Sequence, residues 1–204
     1  MGNTSQQGLL EPMAFEKDTS SRQKKGAHRP VFADVFHEEG EVRDLPKKVH
    51  LLVNPFSGKK KGRAVAQRVI ELVKEAGVDI ASSYSAYSGH LVTMASALVV
   101  GKSDVIAVVG GDGSLSEAIT GRMLLGKKAK DTFAIIPAGT GNSHAHDLNL
   151  SSVEQAVEAM LRGRRQALDL AKVELTEGLP GATGETMVRY SHNLVTWGLG
   201  VDST

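Results

Sequence analysis

The sequence predicts an α/β protein. An open, mostly parallel sheet with helices on both faces is followed by the start of an antiparallel β domain. Three observations lead there. From Lys48 to Gly163, short apolar runs alternate with segments of helical periodicity, the pattern of βαβ units whose crossover helices cover a sheet. Each conspicuous Gly-rich stretch in that region follows an apolar run directly, at the strand ends where open α/β sheets bind ligands. After Gln166 the rhythm changes to two loosely alternating segments joined by "GLPGATG", which reads as a β-hairpin.

Taken in order, residues 1–46 are rich in Ser, Gln, Lys, Glu and Gly and read as a flexible arm. Within it, "PVFADVF" (Pro30–Phe36) is the stretch able to form a strand or dock on the domain. The nucleotide-binding α/β domain is expected over 47–165. "VHLLVN" (Val49–Asn54) is a buried strand stopped by Pro55 and Gly58. Val65, Val69, Leu72, Val73 and Ala76 recur at helical spacing before the stop at Gly77. "VDIASSYSAY" gives a second strand, and "HLVTMASALVVG" a helix ending at Gly101. "DVIAVVGG" and "SLSEAITGRMLL" give the third strand and a helix starting near Ser114. "TFAIIPAG" is the fourth strand, and "SSVEQAVEAMLRG" a helix opened by a Ser151–Glu154 capping box. Residues 166–204 are expected to begin a second, antiparallel domain. Two or three strands bury no face alone, so the sequence is expected to be a fragment lacking most of that domain.

Composition narrows the function classes. The 204 residues are 41% apolar and 23% charged, with a net charge of +1, which gives no general attraction to nucleic acid. With no cysteine, disulfides and thiolate metal sites are excluded. No apolar run approaches the roughly 18–20 residues of a membrane span. No secretory signal core stands near the start. "MGNTSQ" has Gln6 where a myristoylation signal needs Ser or Thr. Cytoplasmic localisation is expected, with peripheral contact to membranes.

Three motifs carry the chemistry. In "NPFSGKKKGR", Asn54 and Pro55 turn the chain, Ser57 and Gly58 offer backbone N–H groups, and Lys59, Lys60, Lys61 and Arg63 add positive charge. That set suits a polyphosphate, although a solvated basic loop ahead of a helix has the same composition. In "GGDGS", Gly110, Gly111 and Gly113 permit close approach to a helix N-terminus. Asp112 there holds a metal, takes a proton from a hydroxyl acceptor, or makes an Asx-turn. Ser114 and Glu117 have capping-box spacing, so Glu117 is structural, a ligand contact, or both. In "PAGTGN", Gly139, Thr140, Gly141 and Asn142 offer donors to a phosphate or ribose. His144 and His146 lack further ligands for zinc and read as ordinary polar residues. "GRMLLGKK" mimics a phosphate-binding loop but follows a helix, not a strand, and is set aside.

The order and spacing of "LLVNPFSGKKKG", "GGDGS" and "PAGTGN" resemble the catalytic domain of the diacylglycerol kinase and sphingosine kinase superfamily. "NLVTWGLGVD" is most similar to the sphingosine and ceramide kinase branch. The resemblance implies a sheet like those of phosphofructokinases and NAD kinases. It also implies an ATP-dependent kinase using Mg²⁺ to phosphorylate a lipid hydroxyl, that of a sphingoid base, presented at a membrane surface. Diacylglycerol or ceramide kinase is the alternative, as is a truncated, non-catalytic nucleotide-binding fragment. An NAD kinase shares "GGDGS" but not "PAGTGN". By motif, Asn54, Pro55, Phe56, Ser57, Gly58, Ser85, Gly89, Gly110, Gly111, Gly113, Glu117, Thr140, Gly141 and Asn142 are expected at the nucleotide. Asp112 is expected as general base and Asp202 at the lipid head group. In bacterial diacylglycerol kinases the base is assigned to a second-domain carboxylate, which would leave Asp112 a nucleotide or metal role.

Overall fold

The structure is a computed structural model that describes residues 44–126, 131–162, 165–176 and 186–193. Its strands are β1 (Lys48–Val53), β2 (Asp79–Tyr84), β3 (Val105–Gly110), β4 (Thr132–Pro137), β5 (Ala171–Thr176) and β6 (Thr186–Ser191). The helices are α1 (Ser57–Lys60), α2 (Gly62–Glu75), α3 (His90–Ser96), α4 (Asp112–Met123), α5 (Ser143–Asp147) and α6 (Val153–Leu161). The first four strands form one parallel sheet in the order β2-β1-β3-β4. β5 and β6 form a separate antiparallel pair, from Ala171 opposite Ser191 to Thr176 opposite Thr186.

The sequence of each strand matches its depth in the sheet. β3, "VIAVVG", is buried at every residue, and β1 is buried from Val49 to Val53. Strands covered on both faces carry continuous apolar runs rather than alternation. β2, "DIASSY", is the edge strand, and its Asp79, Ala81, Ser82 and Ser83 are exposed. Right-handed crossovers from β1 to β2 and from β2 back to β3 run in opposite directions and so use opposite faces. Accordingly α2 packs with α6, and α3 packs with α4.

The α3–α4 contact is set by small residues and one buried cation. A Cβ on Gly121 of α4 would lie 2.1 Å from the Val92 carbonyl oxygen of α3, so only glycine permits this spacing. The neighbouring Arg122 is buried. Its Nε donates to Asp131 Oδ2 at 2.7 Å, and its Nη1 donates to the carbonyls of Ala95 (3.2 Å) and Leu98 (2.7 Å). One guanidinium thus ties the end of α3, the body of α4 and the entry to β4.

Several boundaries differ from the sequence reading. α3 stops at Ser96, not Gly101. Beyond it, Asp104 takes the Gly101 N–H at 2.8 Å and meets His50 Nε2 at 3.1 Å, closing a turn against β1. α4 begins at Asp112, two residues before Ser114. The short α5 was not anticipated. The cap of α6 is Ser152, whose side chain accepts from Gln155 N at 3.1 Å. Glu154, expected to close the box from Ser151, instead pairs with Arg68 of α2 at 3.0 Å. The hairpin forms as expected and docks on α4, where the Tyr190 N–H donates to Thr120 Oγ1 at 2.9 Å. Pro30–Phe36, the "GLPGATG" connection and the Trp197–Asp202 stretch lie outside the described residues. Among the described residues no helix is long and apolar enough to cross a membrane.

Replacing Arg122 by alanine leaves Asp131 without its partner and two helix-end carbonyls unserved. The expected loss is about 3–5 kcal/mol, read from the urea midpoint. Arg122→Lys is expected to recover only part of it, because a point charge cannot serve a forked set of acceptors.

Candidate active site

The strand order reverses at β1, so the crevice outside the carboxyl ends of β1 and β3 is the switch point of the sheet. The loops after β1, β3 and β4 meet there. Asn54 organises the first. Its Oδ1 accepts the Phe56 N–H at 3.0 Å, and its Nδ2 donates to Ser114 Oγ of α4 at 3.1 Å. Pro55 is buried beneath the turn, while Phe56 at its tip is 59% exposed. Gly58, Lys59 and Lys60 are left-handed, with φ of 55°, 60° and 70°. That conformation costs a non-glycine residue roughly 1–2 kcal/mol. Gly58 is required twice over, since a Cβ there would also lie 2.2 Å from the Ala138 carbonyl oxygen.

The loops after β3 and β4 pack backbone against backbone. A Cβ on Gly139 would lie 2.6 Å from Gly111 Cα, and one on Gly110 would lie 2.4 Å from Ser114 Cβ. Asn142, at φ 53°, clamps the β4 loop: its Oδ1 accepts the Gly139 N–H (2.8 Å) and its Nδ2 donates to the Gly139 carbonyl (2.9 Å). Asp112 closes the gap between the loops. Its Oδ2 accepts the Ser143 N–H and its Oδ1 the His144 N–H, both at 2.9 Å. The carboxylate therefore caps α5 from the first turn of a different helix. Thr140 and Gly141 are exposed beside it. Gly113 has nothing within 4 Å of where its Cβ would stand. The protein itself does not need a glycine there.

The segment after β2 is drawn to the same edge. The Ser85 N–H donates to the Val53 carbonyl at 2.8 Å, and Ser85 is buried. His90 Nδ1 accepts the Ala86 N–H at 3.1 Å, and its ring stacks on Tyr87 with centroids 4.5 Å apart. Glu117 Oε1 accepts the Gly89 N–H at 3.0 Å. The capping box expected between Ser114 and Glu117 does not form: α4 has Gly111 at its N-cap and no side-chain cap. Ser114 is committed to Asn54 and Glu117 to Gly89, both brought in by the fold.

The structure thus gathers the motif residues from Asn54 to Asn142 along one sheet edge; Asp202 lies outside the described residues. Sequence reasoning took Ser114 for a capping residue rather than the partner of Asn54, and gave Ser116 no role. It also missed that His144 meets His192 edge-on, with centroids 4.8 Å apart. Only the fold joins His144 to His192 and Asn54 to Ser114, because each pair is far apart in sequence. Among the described residues no group of three or more His, Cys, Asp or Glu is placed to hold a metal ion.

A parallel α/β sheet with three glycine-built loops meeting at its switch point belongs to the α/β proteins that bind ligands in that crevice. The diacylglycerol kinase catalytic domain matches residues 48–173, and the chain belongs to that family. It is 30% identical to sphingosine kinase 1 of Arabidopsis thaliana over 185 residues, which cover 85% of this chain and 36% of that one. It is also 30% identical over 159 residues to a diacylglycerol kinase of Mycobacterium tuberculosis (strain ATCC 25618 / H37Rv), covering 74% of this chain and 50% of that one. A solved structure assigned to the diacylglycerol kinases, from Bacillus anthracis str. Sterne, shares the fold. Its TM-score is 0.50 at 24% identity, covering 69% of this chain and 47% of that one. The chain therefore spans between about a third and half of the length of these relatives.

Two glycine substitutions separate packing from vacancy. Gly139→Ala drives a methyl into the Gly111 backbone and is expected to cost about 1–3 kcal/mol. Gly113→Ala enters open space in a helical turn and is expected to leave stability unchanged or raise it by about 0.5–1 kcal/mol. Thermal unfolding of both variants checks this.

Proposed function

We propose that this chain is the nucleotide-binding part of an ATP-dependent lipid kinase that phosphorylates a hydroxyl of a sphingoid base. The observation that carries the reading is the convergence of three loops at the switch point with space left over Gly113. A first-turn glycine that no protein atom requires is explained by a ligand that approaches the backbone closely. Phosphate suits a helix N-terminus with basic side chains nearby. Lys59 and Lys60 supply those from an exposed left-handed turn.

In this reading Asn54, Pro55, Phe56, Ser57, Gly58, Gly110, Gly111, Gly113, Thr140 and Gly141 line the nucleotide. Ser85 and Gly89 approach its adenosine end. Glu117 and Asn142 act by fixing the loops, through the Gly89 N–H and the two Gly139 backbone groups. Asp112 faces the acceptor hydroxyl as general base. Two hydrogen bonds orient its carboxylate, and each oxygen retains acceptor capacity. No carboxylate cluster surrounds the crevice among the described residues. Mg²⁺ would arrive on the nucleotide phosphates, an arrangement that asks for at most one or two protein carboxylates. Asp202 remains the candidate for the lipid head group.

Diacylglycerol as acceptor is the second reading, favoured by the mycobacterial relative at the same identity as the plant one. Labelled ATP offered with sphingosine, ceramide and diacylglycerol decides between them. Asp112→Asn keeps one capping oxygen and is expected to bind ATP while losing roughly 10²–10⁴-fold in turnover. Undiminished turnover would remove Asp112 as base. Gly113→Ala is expected to weaken ATP about tenfold or more, as an unaccommodated methyl does, without loss of fold. A folded chain that binds ATP and phosphorylates no lipid would mark a nucleotide-binding fragment.

A further inference from the structure

The end of β6 rests on the helix that begins at Asp112. Tyr190 bonds Thr120, and His192 Nδ1 lies 3.1 Å from Ser116 Oγ. Ser116 and Thr120 follow Asp112 at intervals of four, so the three share one stripe of α4. The His192 ring also meets His144 edge-on, with the planes at 82°. The His144 N–H in turn donates to Asp112 Oδ1. The contacts close a ring: Asp112 to His144, His144 to His192, His192 to Ser116, and back along α4 to Asp112. His192 Nε2 is buried and meets no hydrogen-bond partner among the described residues. An unpaired buried polar group costs about 1–3 kcal/mol. An apolar side chain would fill the same place without that cost.

We propose that His192 is a positioning residue for Asp112: its neutral ring holds the end of β6 against the start of α5, and its protonation loosens the two backbone hydrogen bonds that orient the Asp112 carboxylate. The role as positioning residue rests on Asp112 facing the acceptor, as read above. The chemistry is direct. A proton on the second ring nitrogen makes both nitrogens donors and places a cation edge-on to His144 in a half-buried space. The charged or titratable groups acting on the ring are His144 from α5 and Asp112 from α4. Burial, and then His144, hold the imidazole below its ordinary value of 6.5, and the Asp112 carboxylate pulls the other way. The docked ring therefore binds protons less readily than the free one. The stability it lends the docked state is complete above about pH 6.5, falls as the pH drops below that, and levels off under the docked pKa.

The test follows the His192 ring nitrogens by ¹⁵N NMR, together with amide-exchange protection of Ser143, His144 and Tyr190, from pH 7.5 down to 5. The ring is expected to be neutral at pH 7. Protection at the three amides is expected to fall together, by up to about tenfold per pH unit below 6.5. His192→Gln retains a side chain able to bond Ser116 and cannot titrate, so it is expected to keep protection and lose the pH step. His192→Leu keeps the bulk without the bond and is expected to lower protection at every pH. Constant protection at Ser143 and His144 while His192 titrates would overturn the proposal, as would a pH step that survives in His192→Gln. Lipid phosphorylation is assayed separately on the same proteins. Its absence, with the exchange results as expected, would sink the kinase reading and leave the coupling of His192 to Asp112 in place. Turnover in the wild type with an acid limb unchanged in His192→Gln would do the reverse.

Discussion

The distance between two glycine backbones governs the site. Gly111 and Gly139 approach so closely that a Cβ on either would meet the other's Cα, at 3.3 Å from Gly111 and 2.6 Å from Gly139. Gly58, from the loop after β1, approaches the Ala138 carbonyl just as closely. With these contacts in place the loops after β1, β3 and β4 form a single packed rim. Asn54 then reaches Ser114, and Asp112 reaches the first N–H groups of α5. Were any one loop pushed outward by a methyl group, those polar contacts would leave hydrogen-bond range, which for N–H···O spans only about 2.7–3.2 Å.

Asp112 illustrates what the rim achieves. A carboxylate between glycines at a strand end is ambiguous as a sequence feature, because an Asx-turn, a metal ligand and a base share the same letters. In the fold it is a cap for a helix other than its own, with one oxygen to each of two N–H groups. Capping and acceptor contact are compatible, because a carboxylate offers about four lone-pair positions and the cap uses two. The helix end also fixes the direction of the remaining lone pairs, which a free surface aspartate would have to order on binding its acceptor.

Much of this was legible in the sequence. Continuous apolar runs in β1 and β3, helical spacing in α2 and the stop at Gly77, whose φ is +73°, report local backbone demands that a single chain segment can express. The location of "NPFSG", "GGDGS" and "PAGTGN" at strand ends was equally local, and parallel topology then brought them together. What the sequence hid was the choice among equivalent partners. Ser151 and Ser152 both head a plausible capping box; Ser152 Oγ takes the Gln155 N–H, while Glu154 turns to Arg68 of α2. Ser114 and Glu117 look like a box of their own until Asn54 and Gly89, from other elements, claim them. His144 shows nothing unusual by itself. Its meaning comes from His192, which is 48 positions away and arrives only because a hairpin docks on α4.

α4 is the element that touches both sheets, β3 of the first and β6 of the second. Its first turn carries Asp112, Gly113 and Ser114 at the rim. Glu117 reaches back to the loop after β2, and Ser116 and Thr120 receive β6. Further along, Gly121 and Arg122 fix the helix against α3 and the entry to β4. A helix held at its far end by a buried guanidinium and approached through glycine cannot tilt freely, because packed interiors do not deform continuously. Its first turn is held as well, by the close approach of Gly111 to Gly139 and by the Asn54–Ser114 bond. α4 is thus fixed at both ends, and the two side chains that receive β6, Ser116 and Thr120, share one stripe of it with Asp112.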